Sequence, residues 1–186
     1  MKKSLIVVTA LILFSGAAFA QAEIGFNGMG AKVGFVMPED PIESTIGFGL
    51  VADLGTIMPN LALHAYVDYW GKSYDESEHY ESKFSVVSIA AIAKYLISSG
   101  GSLTPYVGGG LGLEFASVSG EYTGPSVPGY TEDFDYDETE TDLGIHLVGG
   151  AMMELSPAMK GFAEVKYTIG DVDYLGIFAG VIYSLK

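Results

Sequence analysis

From Ile24 onward the chain falls into segments of about ten residues in which apolar side chains alternate with small or polar ones, the period-two pattern of a strand with unlike surroundings on its two faces. A tilted strand needs about 9–11 residues to cross a bilayer. Eight segments of that kind are read: Phe26–Met37, Thr45–Leu54, Leu61–Trp70, Phe84–Leu96, Thr104–Ser117, Leu143–Leu155, Gly161–Gly170 and Tyr174–Leu185. In the third, Leu61, Leu63, Ala65, Val67 and Tyr69 alternate with Ala62, His64, Tyr66, Asp68 and Trp70, so the odd positions are expected to face lipid. The seventh and eighth repeat the parity through Ala163, Val165, Tyr167 and Ile169, and through Leu175, Ile177, Ala179, Val181 and Tyr183. A soluble sandwich would carry mostly charged residues at the alternate positions. Here they are largely Gly, Ala, Ser and Tyr with isolated charges, which suits a narrow lumen filled by side chains.

The connections alternate as well. Those after segments two, four and six (Gly55–Asn60, Ile97–Leu103 and Ser156–Lys160) are short, while three of the other four are longer or strongly acidic. The one after segment seven is short but carries Asp171 and Asp173. Bacterial barrels have short periplasmic turns and longer outer loops. The fold class expected is therefore an all-β, eight-stranded antiparallel up-and-down transmembrane β-barrel, with both termini in the periplasm.

Composition agrees with this. Hydrophobic residues make up 49% and the mean hydropathy is +0.33, yet no run beyond the first twenty residues is long enough for a membrane helix. The absence of cysteine excludes disulfides, thiolate metal sites and lipid modification of an N-terminal Cys. With 9 basic residues against 23 acidic ones, a formal net charge of -14, the chain is a poor match for nucleic acid.

The N-terminus has the three parts of a secretory signal: Lys2 and Lys3, an apolar run from Leu5 to Phe14, and small residues leading to Ala18-Phe19-Ala20. Residues 1–20 are expected to be the signal peptide, cut after Ala20, and 21–186 the barrel domain.

The strand Thr104-Pro105-Tyr106-Val107-Gly108-Gly109-Gly110-Leu111-Gly112 and the closing Gly176–Tyr183 strand resemble the small outer-membrane β-barrel family of outer-membrane protein X, outer-membrane protein W and the transmembrane domain of outer-membrane protein A. The resemblance spans the whole chain after the signal. It implies residence in the bacterial outer membrane, with outer-membrane lipid and lipopolysaccharide around the barrel and the barrel-assembly machinery as a partner during biogenesis. It is weak on function, since the family includes adhesins, structural proteins and narrow porin-like conduits. Such barrels usually end on an aromatic residue, whereas this chain ends Tyr183-Ser184-Leu185-Lys186.

Catalysis would call on the histidines. His64 and His146 are expected in the lumen and His79 in an outer loop. Barrel-type lipid A deacylases carry His-x-Ser on one strand, but here His64 is followed by Ala65-Tyr66 and His146 by Leu147-Val148. No catalytic residue and no cofactor is assigned, and a lipid-modifying enzyme is only a distant alternative.

The inward charges read from parity are Lys32, Asp53, Asp68, Lys94, Glu114, Glu154, Glu164 and Lys166. With His64 and His146 they are expected to form a polar network plugging the barrel, because eight strands leave little more room than side chains fill. The alternative is a selectivity filter. Acids outnumber lysines in this set, so some are expected to be hydrated or protonated. Hairpin arithmetic places Lys32 and Asp68 on either side of Gly47 and predicts a salt bridge across it.

The fifth connection, from Gly120 to Asp142, is rich in Asp and Glu and has no lysine. Asp133, Asp135 and Asp137 have the one-three-five spacing of a calcium loop, but Glu138 stands at its glycine position and Gly144 at its closing glutamate. No metal site is assigned. Looser binding of divalent cations is kept as an alternative, as is an extension of the hairpin above the membrane through Phe134 and Tyr136.

The leading functional reading is thus a non-enzymatic outer-membrane barrel with acidic outer loops and a structural or surface-interaction role. The runner-up is a narrow conduit for small or apolar solutes.

Overall fold

The computed structural model describes residues 22–77, 80–122 and 134–185. The expected signal and its cleavage position at Ala20, together with His79 and Asp133, lie outside the described residues. Eight antiparallel strands close into one up-and-down barrel: β1 (Glu23–Pro38), β2 (Thr45–Met58), β3 (Leu61–Ser77), β4 (Tyr80–Leu96), β5 (Leu103–Tyr122), β6 (Phe134–Ser156), β7 (Met159–Ile169) and β8 (Tyr174–Ser184). Closure comes from β1 pairing with β8, from Gly28 opposite Ser184 to Pro38 opposite Tyr174. No helix among the described residues is long and apolar enough to cross a membrane. The strands themselves satisfy the backbone within the sheet, as a bilayer requires.

Side-chain parity follows the sequence reading. Val33, Phe48, Leu50, Val67, Ile89, Leu111, Leu147, Val165, Ile177 and Val181 are exposed on the outer surface. Tyr66, Trp70, Tyr106 and Phe178 are buried inside, each no more than 3% exposed, and together they fill the lumen. Two apolar layers form there. One joins Val51, Tyr66, Ile92, Tyr106, Phe162 and Ile182 toward the end carrying Glu23 and Ser184, called here the terminal end. The other joins Val36, Trp70, Val86, Tyr174 and Phe178 toward the opposite, loop end.

Four strands run further than the alternation of apolar residues suggests. β3 continues past Trp70, β4 starts before Phe84, and β5 and β6 stay paired as far as Tyr122 opposite Phe134. The physical reason is that hydrogen bonding outlasts the membrane. Outward positions such as Lys83, Ser85, Ser117, Ser119, Thr139 and Thr141 are polar, so the apolar period fades while the ladder continues. From Glu114 to Tyr122 the β5–β6 ladder would reach about 30 Å at roughly 3.4 Å per residue.

The first two hairpins differ from the expected registers by two residues. The β2–β3 turn sits at Pro59–Asn60, where Asn60 has a φ of 64°, and the pairing shifts between Asp53 and Thr56 around Gly55, whose φ is 90°. Glycine suits that left-handed bulge position. The β1–β2 hairpin, with Val36 opposite Thr45, is centred between Asp40 and Pro41, so Lys32 lies opposite Gly49 rather than Gly47, and Gly49 also lies opposite Asp68.

Candidate functional site

The polar residues between the two apolar layers form one connected cluster. The two register shifts cancel, so Lys32 and Asp68 still flank a single glycine, and Lys32 Nζ is 3.0 Å from Asp68 Oδ2. Glycine is needed between them, because a methyl group at Gly49 would collide with Asp68 Oδ1. Lys166, from β7 on the far wall, reaches the same Asp68 Oδ2 at 2.7 Å.

Glu164 anchors the other half. Lys94 Nζ lies 2.7 Å from its Oε2 and Lys32 Nζ 3.8 Å from its Oε1. The hydroxyls of Tyr66 and Tyr106 donate to Oε2 at 2.9 and 3.0 Å. The lysine ammoniums also rest against aromatic faces, Lys32 at 3.8 Å from the Tyr66 ring centre and Lys94 at 4.2 Å from that of Tyr106. Such contacts strengthen when water is excluded. Toward the loop end, Ser88 Oγ donates to Glu114 Oε1 at 2.5 Å and Tyr174 OH donates to Glu114 Oε2 at 3.0 Å.

Three lysines and three carboxylates, Asp68, Glu114 and Glu164, are thus buried together. The excess of acids read from the sequence resolves by position: Asp53 is half-buried near the terminal-end mouth, where its Oδ1 accepts from the Gly55 N–H at 2.9 Å. Glu154 is exposed at the terminal-end edge of β6 and is not part of the network, a correction to its expected place. Parity alone placed it inward, but the strand has left the lumen by that point.

His64 and His146, the histidines among the described residues, do not form a hydrolytic arrangement. His146 is buried, with Nδ1 3.0 Å from Thr168 Oγ1 and Nε2 3.4 Å from Glu114 Oε1. Ser88 and His146 both address the carboxylate, whereas a triad needs the histidine between nucleophile and acid. His64 is buried with its ring edge-on to Tyr66, opposite Asp53 in the β2–β3 ladder, and its Nδ1 has no hydrogen-bond partner among the described residues. Among the described residues no group of three or more His, Asp or Glu is placed to hold a metal ion. Asp135 and Asp137 lie in β6 opposite Glu121 and Ser119, so the backbone there is strand and not a calcium loop.

Ser88, Thr168 and Tyr174 belong to the network but were not singled out from sequence. Their inward parity was readable; that Ser88 and Thr168 stand directly opposite Glu114 and His146 depends on the β4–β5 and β6–β7 registers, and that the Tyr174 hydroxyl reaches Glu114 depends on contact across the barrel.

At the loop end, Lys72 Nζ contacts Glu43 Oε2 at 2.9 Å and the Glu43 N–H donates to Tyr74 OH at 2.9 Å, so the β1–β2 connection covers the outer edge of β3. The Glu43 carboxylate, accepting from the ammonium, holds Lys72 above the ordinary lysine range. The outer edge of β6 is different. β7 pairs with it only up to Ile145 opposite Ile169, and no described strand pairs with Phe134–Gly144 on that side.

A closed eight-stranded barrel with an apolar outside and a charge-balanced, filled inside is a membrane-spanning barrel protein. The model of the outer membrane protein beta-barrel domain family matches residues 6–183, and the chain belongs to that family and is an integral outer-membrane protein. No curated relative matches. Among solved structures, the chain is similar to Neisserial surface protein A at 19% identity and a TM-score of 0.64, covering 85% of this chain and 96% of that one. Ail, the attachment invasion locus protein of Yersinia pestis, in complex with the heparin analogue sucrose octasulfate, is similar at 17% identity and a TM-score of 0.55, covering 86% and 99%. A major outer membrane protein from Thermus thermophilus is similar at 11% and 0.57, covering 85% and 98%. At these identities the likeness is one of fold.

Proposed function

We propose that this protein is a non-enzymatic outer-membrane barrel with a sealed lumen, and that its working part is the acidic sheet projecting from the loop end. The observation that carries this is the continuation of β3–β6 beyond a membrane-spanning length, with β7 paired along the outer edge of β6 only as far as Ile145 opposite Ile169. An open edge is a template for an added strand. That stretch reads Phe-Asp-Tyr-Asp-Glu-Thr-Glu-Thr-Asp-Leu-Gly, so a second copy of the same edge is repelled and an extended basic segment is attracted. The Ail structure holds a polyanionic ligand. The sign of charge on this β6 favours the opposite class of partner. Both termini belong on the periplasmic side in this reading, with lipopolysaccharide around the outer leaflet and the barrel-assembly machinery acting during insertion.

Conduction is disfavoured by the two apolar layers and the paired charges between them. The test is the barrel in lipid nanodiscs, presented with a Lys-rich extended peptide, against a variant in which residues 118–138 are replaced by a two-residue turn. Loss of salt-sensitive binding in the shortened barrel is expected, with no steady conductance from the parent in planar bilayers. Equal binding by both, or a steady conductance, overturns the reading.

A further inference from the structure

Inside the loop end, above Glu114, the barrel opens into a cavity of about 290 Å³, near the lower bound of roughly 300–1,000 Å³ seen for small-molecule sites. Its two halves differ in chemistry. One wall is apolar: Phe84 and Val86 from β4, Ala116 and Val118 from β5, and Val172 from the β7–β8 connection. The other is acidic, made by Glu138, Glu140 and Asp142 from β6 and Asp171, with Glu114 at the floor. No lysine is among the described residues that line the cavity.

The contrast with the lumen below is informative. There, Asp68 and Glu164 are each paired with two lysines, and the lysine ammoniums sit against Tyr66, Tyr106 and Phe178. In the cavity Glu140 and Asp142 on β6 stand beside Ala116 and Glu114 on the paired β5, and the described lining supplies no ammonium between the acids and the apolar side chains. Val118, 44% exposed on the wall, is an apolar side chain presented above the membrane span, where neighbouring outward positions are Ser117 and Ser119.

We propose that this cavity is a binding site for a small amphiphilic cation, its hydrocarbon or aromatic body against Phe84, Ala116 and Val118 and its protonated amine between Glu140 and Asp142. Residues of β4, β5, β6 and the β7–β8 connection line the space such a molecule would occupy. An anion is excluded by the carboxylates. A bare metal cation leaves the apolar wall unused, and a neutral hydrocarbon leaves the acids unused. The site is separate from the β6 outer edge and does not depend on a protein partner docking there.

Calorimetry on the full barrel in nanodiscs of zwitterionic lipid tests this with four probes: phenethylammonium, its neutral analogue 3-phenylpropanol, methylammonium and Ca²⁺. Saturable binding of phenethylammonium is expected, at least tenfold tighter than 3-phenylpropanol and methylammonium. Glu140→Gln should weaken it at least fivefold, and Val118→Ser should do the same without changing the response to Ca²⁺. Unchanged Trp70 emission identifies variants that keep the fold. Equal affinity for the neutral analogue, Ca²⁺ competing as well in Val118→Ser as phenethylammonium does in the parent, or no saturable heat with phenethylammonium overturns the proposal.

Discussion

Asp68 Oδ2 is shared by two ammoniums, Lys32 at 3.0 Å and Lys166 at 2.7 Å, so one carboxylate oxygen ties β1, β3 and β7 together across the lumen. Removing it leaves two buried positive charges facing each other. Asp68→Ala is expected to cost about 3–5 kcal/mol, the range for stripping one partner from a buried ion pair. Lys32→Met should cost less, since Lys166 still satisfies the carboxylate. Urea unfolding followed by the emission of Trp70, the single tryptophan, measures both. An Asp68→Ala barrel as resistant as the parent would refute the assignment.

Gly49 makes that bridge sterically feasible. Gly49→Ala is expected to push Asp68 away from Lys32 and to cost about 1–3 kcal/mol, as overpacking of a filled interior does. Gly149→Ala is the matched control, since a methyl group there meets nothing within 4 Å. Similar losses from both substitutions in the same urea assay would show that the effect is a general one of glycine in strands.

The strand pattern and the inward face were legible because a bilayer imposes a simple two-sided environment, and side-chain parity records it at every step. Lys32 and Asp68 could even be paired by counting from the turns, although both counts were off by two and Gly49 took the place of Gly47. The errors cancelled because the same strand, β2, slid relative to both neighbours. Lys166 was not assigned to Asp68, and could not have been: β7 and β3 are not neighbours, and their contact depends on barrel diameter and tilt. The projecting part of β5 and β6 was hard to delimit for the opposite reason. Once water replaces lipid outside, nothing forces the odd positions to be apolar.

Export is expected to remove residues 1–20 and leave Gln21 at the N-terminus, because Ala18-Phe19-Ala20 presents small residues at the spacing a signal peptidase reads. The intact mass of the protein recovered from outer membranes reports this directly. A mass that retains Met1, or a first residue other than Gln21, counts against the assignment.

Depth along the outer face gives the last prediction. Ile89 is 50% exposed on the middle of the membrane-spanning part of β4, opposite Val67 and Leu113, and all three point into lipid. Leu103 is equally exposed but begins β5 at the terminal end. A lysine at mid-depth must bury its charge or thin the bilayer around it, whereas one at the rim snorkels to water. Ile89→Lys is therefore expected to destabilise the inserted barrel by about 2–4 kcal/mol, and Leu103→Lys by about 0–1 kcal/mol. Reversible urea unfolding in lipid vesicles compares the two. If both lysines were tolerated alike, the outer face would not be the lipid face, and the parity on which the lumen network rests would have to be inverted.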